Sequence, residues 1–173
     1  MTQQPKLNPK PQKSIQPSKT VEISPQQPAT KTEISPDQKI IQTIKNLERL
    51  QEYKIKDLVN QAKELGRYLK EIDLKTNQIR KFLDTVNRLK VTLAQDKDEN
   101  FSLIETEIVL LKPKLAYAAA RKDDERNKLN PVKPLSDVLS EAIDKVKDTP
   151  DFYRLVQLIE SIIAYHKAAG GKN

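Results

Sequence analysis

From Asp37 onward, apolar residues recur at intervals of three and four, and no window alternates convincingly at every second position. The first pattern is that of amphipathic helices, and the second would be needed for half-buried strands. Ile40, Ile41, Ile44 and Leu47 open the series, and Ile55, Leu58, Ala62, Leu65, Leu69 and Ile72 continue it as one buried face. The register slips between Leu50 and Lys54, so one helix or two over 37–72 remains open. Gly66 lowers helix propensity there by about 1 kcal/mol relative to alanine without ending the pattern. A second element runs from Thr76, the expected N-cap, to about Ala94, with Ile79, Phe82, Leu83, Val86, Leu89 and Leu93 on its apolar face. A third starts at Ser102, whose spacing to Glu105 is that of a capping box, and continues toward Arg126. The fourth spans Leu135 to Lys147. The fifth opens with Thr149 as N-cap and Pro150 in the first helical position, where a missing N–H does no harm. It closes at Gly170, the residue type suited to a left-handed C′ position. The expected fold is all-α, a compact bundle of about five helices.

Pro113 interrupts the third element. It cannot donate to the carbonyl of Val109, its ring crowds that turn, and Lys112 before it is steered away from the helical region. A kink or break is expected there. Ala116, Ala118, Ala119 and Ala120 then restore helix propensity and permit close approach of a neighbour.

Residues 1–36 differ in kind. They hold seven of the eleven prolines and no aromatic residue, and are mostly Gln, Lys, Ser and Thr. Such a segment has too little apolar surface to offset chain entropy, so a disordered tail is expected, followed by a helical domain over 37–173. TVEISPQQ at 20–27 and KTEISPDQ at 31–38 are near-repeats. Low-complexity drift is the expectation over a docking peptide.

Charge narrows the partners. Thirty-one Lys and Arg face twenty-four Asp and Glu, a formal net charge of +7, which favours polyanions. Cysteine is absent, so no disulfide framework or thiolate metal site exists. The N-terminus lacks the apolar core of a signal peptide, and no run approaches the roughly 18 apolar residues that span a bilayer. A soluble, cytoplasmic protein is expected.

The cations cluster. Between 75 and 90 there are Lys75, Arg80, Lys81, Arg88 and Lys90 against Asp84 alone. At 100° per residue Asn77, Arg80, Lys81, Asp84 and Arg88 share an arc opposite the apolar face. A solvated face is the bland alternative, but such faces ordinarily mix Glu with Lys. Beyond the proline, Lys114, Tyr117 and Arg121 form one stripe, with Lys112 nearby. Two cations beside a ring suit phosphates and a stacked base. For Tyr117 itself the expectation is plainer: a half-buried core ring whose hydroxyl reaches water.

Other chemistry has little support. Asp96, Asp98, Asn100 and Glu107 occupy positions 1, 3, 5 and 12 of a calcium-loop template, but Phe101 stands where glycine is needed. Asp123, Asp124 and Glu125 are consecutive and would fan out around a helix. His166 is the single histidine, in a last helical turn where an imidazolium interacts well with the dipole. No nucleophile, phosphate loop or carboxylate pair accompanies it, so no enzyme, metal or cofactor is expected.

Three segments, TNQIRKFLDTVNRL at 76–89, LLKPKLAYAAAR at 110–121 and FYRLVQLIESIIAYHKAAGGK at 152–172, resemble the small subunit of the type III-A (Csm) CRISPR–Cas effector complex. The resemblance covers roughly 55–172, with NKLNPVKP at 127–134 matching least. It implies a non-catalytic helical subunit present in several copies as an inner filament, self-associated and beside backbone and large subunits. It further implies contact with guide RNA and target RNA in antiviral defence, through Arg80, Lys81, Lys112, Lys114 and Arg121. Arg88 is added from the helical arc. Two other readings stand beside it: a structural adaptor that oligomerises through the Ile55–Ile72 seam without binding nucleic acid, and a membrane-surface protein, which the lack of Trp disfavours.

Overall fold

A computed structural model of the chain describes residues 34–121 and 130–173. Among these residues every regular element is helical: α1 (Pro36–Lys45), α2 (Ile55–Glu71), α3 (Arg80–Gln95), α4 (Glu105–Val109), α5 (Leu111–Ala120), α6 (Lys133–Ile143) and α7 (Thr149–Ala168). The all-α bundle is as expected, with seven helices described in place of about five. The stretch 37–72, left open between one helix and two, forms α1 and α2, and the third element is broken into α4 and α5 where a kink or break was expected.

The division at Leu50–Lys54 has a physical reason. Leu50 and Tyr53 are buried within a short 3-10 turn, so the apolar face is carried through the corner by a change of direction. The Leu50 amide donates to the carbonyl of Lys145 at 3.2 Å, fastening this corner to the α6–α7 corner. Asp151, fully buried, completes the fastening. Its carboxylate accepts from Arg49 Nε and Nη2 at 2.9 and 2.7 Å, from the Gln51 amide at 2.8 Å and from the Lys147 amide at 3.0 Å. Arg49 also pairs with Asp148, and these two carboxylates, Asp148 first, hold the guanidinium above its ordinary pKa.

α2 and α7 form the spine. Leu58, Ala62, Leu65 and Leu69 of α2 are fully buried, as are Phe152, Leu155, Leu158 and Ile162 of α7. The seam that an adaptor would have offered to partners is therefore consumed inside the fold, with Ile55 alone of its members exposed. Gly66 marks a close approach of α2 to α7. A Cβ there would lie 2.7 Å from the His166 nitrogen and 2.9 Å from both the Ile162 oxygen and the Tyr165 Cβ. Around this spine α1 packs on α6, α6 on α5, and α3 on both α5 and α7.

Helix ends depart from expectation at three places, two through a neighbouring side chain and one through a distant carbonyl. Asp148, not Thr149, caps α7, its side chain accepting from the Asp151 amide at 3.0 Å. Thr76 does not cap α3. It opens a 3-10 turn, and its amide donates to the Lys172 carbonyl at 3.1 Å, so it holds the end of the chain. The Ser102–Glu105 box is absent because the Asn100 side chain takes the Ser102 amide at 3.1 Å and α4 begins only at Glu105. Gly170 does adopt φ +88°, as a C′ glycine should.

His166 is fully buried, which corrects the expectation of a charged helix-end histidine. Its Nε2 lies 2.9 Å from the Leu74 carbonyl, an acceptor only, so Nε2 carries the proton. Nδ1 faces no partner, and Gly171 lies so close that a Cβ would fall 2.2–2.5 Å from ring atoms. A second proton would bring a charge and an unsatisfied N–H into this cage. Burial depresses the imidazole pKa, the Leu74 hydrogen bond opposes this, and Lys167 adds to the depression. With the folded value lowered from the usual 6.5, the unfolded chain binds the proton more readily. Stability should hold above about pH 6.5 and fall as the pH drops below it, whereas His166→Gln should flatten that slope. Denaturant melts at pH 7.5 and 5.5 measure this, and equal slopes for the two proteins would refute it.

Candidate nucleic-acid interface

The interface begins with the break that the proline was expected to cause. α4 ends at Val109, Leu110 turns the corner, and α5 starts anew at Leu111. Pro113 is then the third residue of α5, within the first turn, where backbone N–H groups have no intrahelical acceptor. The proline thus sits harmlessly once the break falls three residues ahead of it, and Lys112 is helical after all. α5 stops at Ala120, because Arg121 is extended with ψ 116°, and so falls short of Arg126. Lys122 and the acidic run Asp123, Asp124 and Glu125 lie outside the described residues.

With α5 reoriented, its Lys114–Tyr117–Arg121 stripe faces the Thr76–Ile79 turn and the start of α3. Between them lies a groove of about 380 Å³. Lys81 stands on one wall, and Lys114, Tyr117 and Arg121 on the other. Ile79, Phe82, Leu110, Pro113 and Ala118 supply an apolar lining, and among the described residues neither Asp nor Glu contributes to it. Tyr117 is 67% exposed, so the half-buried core reading of its ring is corrected. The reason is local: Leu111 and Leu115 carry the buried face of α5, and Tyr117 falls off it.

Arg80 and Lys81, adjacent in sequence, diverge. Arg80 lines a neighbouring groove of about 320 Å³ with Thr76, Asp84, Asn87 and Asn173, and Asn77 lines both. Arg88 and Lys114 converge on Glu107 Oε2, at 3.4 and 3.9 Å. These are exposed pairs of small net energy, which a phosphate can replace at little cost. Lys112 stands apart. It lies about 200° around α5 from Lys114 and pairs with both carboxylate oxygens of Asp144 at 2.7 and 2.8 Å. The structure therefore gathers Lys81, Lys114 and Arg121, places Arg80 next door and Arg88 along the edge, and turns Lys112 toward α6.

The apolar lining at Leu110, Pro113 and Ala118 was not singled out from sequence. The i,i+4 step from Lys114 to Ala118, set beside the Lys81–Phe82 pair, is the signal that carries it. Of the calcium-template residues, Asp96 accepts the Asn100 amide at 2.8 Å while Glu107 is turned to Arg88. Among the described residues no three or more His, Asp or Glu side chains group as metal ligands, and no helix is long and apolar enough to cross a membrane.

Fold and groove together define a small all-α protein with a cation-lined face. The family model described as Csm2 Type III-A matches residues 52–172. The chain belongs to that family, the small subunit of the type III-A Csm complex of CRISPR–Cas systems. No curated protein matches the chain.

Proposed function

We propose that this protein is a non-catalytic, RNA-binding subunit that contacts the guide–target RNA of its complex through the α3–α5 groove. It assembles in several copies as an inner filament beside the backbone and large subunits, in the cytoplasm, as part of antiviral defence. In this reading residues 37–173 are the RNA-binding bundle and 1–36 an appended tail. The observation that carries the reading is the convergence of Lys81, Lys114 and Arg121 on one groove, with no acid among the described residues that line it. Such a site suits a phosphodiester strand read by charge, because base pairing supplies sequence specificity in guide-directed recognition.

The test is RNA binding by the full chain across a salt series. Wild type should weaken with a log–log slope of about −0.7 per phosphate neutralised on a single strand. Lys81→Glu, Lys114→Glu and Arg121→Glu combined should weaken binding on the order of a hundredfold at low salt and flatten the slope by about 2. Helicity should be retained, since all three sit at the surface. Wild-type affinity in the triple variant would reject the assignment.

A second reading, a structural adaptor without RNA binding, draws on the exposure of Leu103, Val109 and Leu110 around the α4–α5 break. Self-association indifferent to salt, with no RNA bound, would favour it.

A further inference from the structure

The α3–α5 groove is more than a charged channel. A surface that only tracked phosphates would need cations and no apolar hollow. Here the cations stand at the walls of a cavity lined by Ile79 and Phe82, and Tyr117 presents most of its ring to solvent beside it. At about 380 Å³ the cavity lies at the low end of small-ligand sites, which run roughly 300–1,000 Å³. A ligand that suits it is anionic at the edge and apolar in the middle.

We infer that the groove receives a single unstacked nucleobase of the bound RNA strand. Its face lies against the Tyr117 ring, and the flanking phosphates lie against Lys81, Lys114 and Arg121. This rests on the RNA-binding reading above and deepens it. Aromatic platforms tolerate any base, because every base offers a π-face. The groove therefore adds affinity without adding sequence preference. An acidic peptide carrying an aromatic side chain has related chemistry, but only a nucleic-acid strand sets a phosphate on either side of every flat ring, as cations on both walls of the groove require.

The experiment compares short single-stranded RNAs, intact or carrying abasic sites, on full-length wild type, Tyr117→Ala and Tyr117→Phe. Tyr117 is exposed, so neither substitution disturbs folding. Wild type should bind abasic RNA about tenfold more weakly than intact RNA, in line with one lost base–aromatic stack. Tyr117→Ala should weaken intact RNA by a similar factor and no longer distinguish the two RNAs, with an unchanged salt slope. Tyr117→Phe should behave as wild type, and 2-aminopurine placed in the strand should be quenched on binding by wild type and Tyr117→Phe alone. Equal affinity of wild type for intact and abasic RNA would overturn the base pocket while leaving the phosphate reading intact. Failure of wild type to bind RNA at any salt would overturn both. Protection of Tyr117 by an acidic peptide, without competition from RNA, would reassign the groove.

Discussion

Asp151→Ala should lower the unfolding temperature by about 10 °C, the largest stability change expected from any polar substitution in this bundle. The carboxylate is wholly buried, yet each oxygen is occupied: Arg49 approaches with two nitrogens, and the Gln51 and Lys147 amides complete the set. Hydrogen bonds to a charged group are each worth about 1.5–3 kcal/mol. Removing a buried ionic partner costs about 3–5 kcal/mol when the remaining charge is stranded. Arg49 is not fully stranded, because it keeps Asp148, so a loss of about 3 kcal/mol is the expected outcome. Asp151→Asn, which retains one acceptor oxygen, should fall between. Thermal melts of the three proteins decide the matter. A melt for the alanine variant within about 2 °C of wild type, less than 1 kcal/mol of change brings about, would show that the α1–α2 corner is not fastened by this carboxylate.

Gly66→Ala should also destabilise, against the direction of helix propensity. On an isolated helix the change would gain about 1 kcal/mol. Here the added methyl would meet the backbone of α7 at 2.7 and 2.9 Å, and neither atom belongs to a flexible side chain. The helices must separate, loosening the α2–α7 packing in which Leu65, Leu69 and Ile162 are buried. Overpacking of this kind costs about 1–3 kcal/mol. The net result should be a destabilised protein with unchanged helicity, measured by denaturant unfolding. A stabilised alanine variant would mean that the α2–α7 crossing has slack.

The helical faces could be read from the sequence because burial periodicity is a local property. Leu58, Ala62, Leu65 and Leu69 declare their face by spacing alone, as do Ile79, Phe82, Val86 and Leu89. Helix ends could not be read in the same way. Thr76 looks like a cap, but the Lys172 carbonyl, almost a hundred residues away, takes its amide. His166 looks like a charged helix terminus, but Leu74 and Gly171 close over it. The candidate face was legible where one helix sufficed: Lys114, Tyr117 and Arg121 line one wall of the groove. It was not legible where the answer depended on a distant carboxylate. Nothing local to Lys112 announces Asp144, and nothing in the arc of α3 separates the groove of Lys81 from that of Arg80.

The two walls of the cation-lined groove come from stretches of chain nearly thirty residues apart, brought together where α5 packs on α3 and on the Thr76–Ile79 turn. The site is therefore discontinuous, and no peptide cut from either stretch carries it. By mass action, any ligand that occupies it selects the assembled pair of helices over the open chain, so occupancy and cohesion of this half of the bundle rise and fall as one quantity.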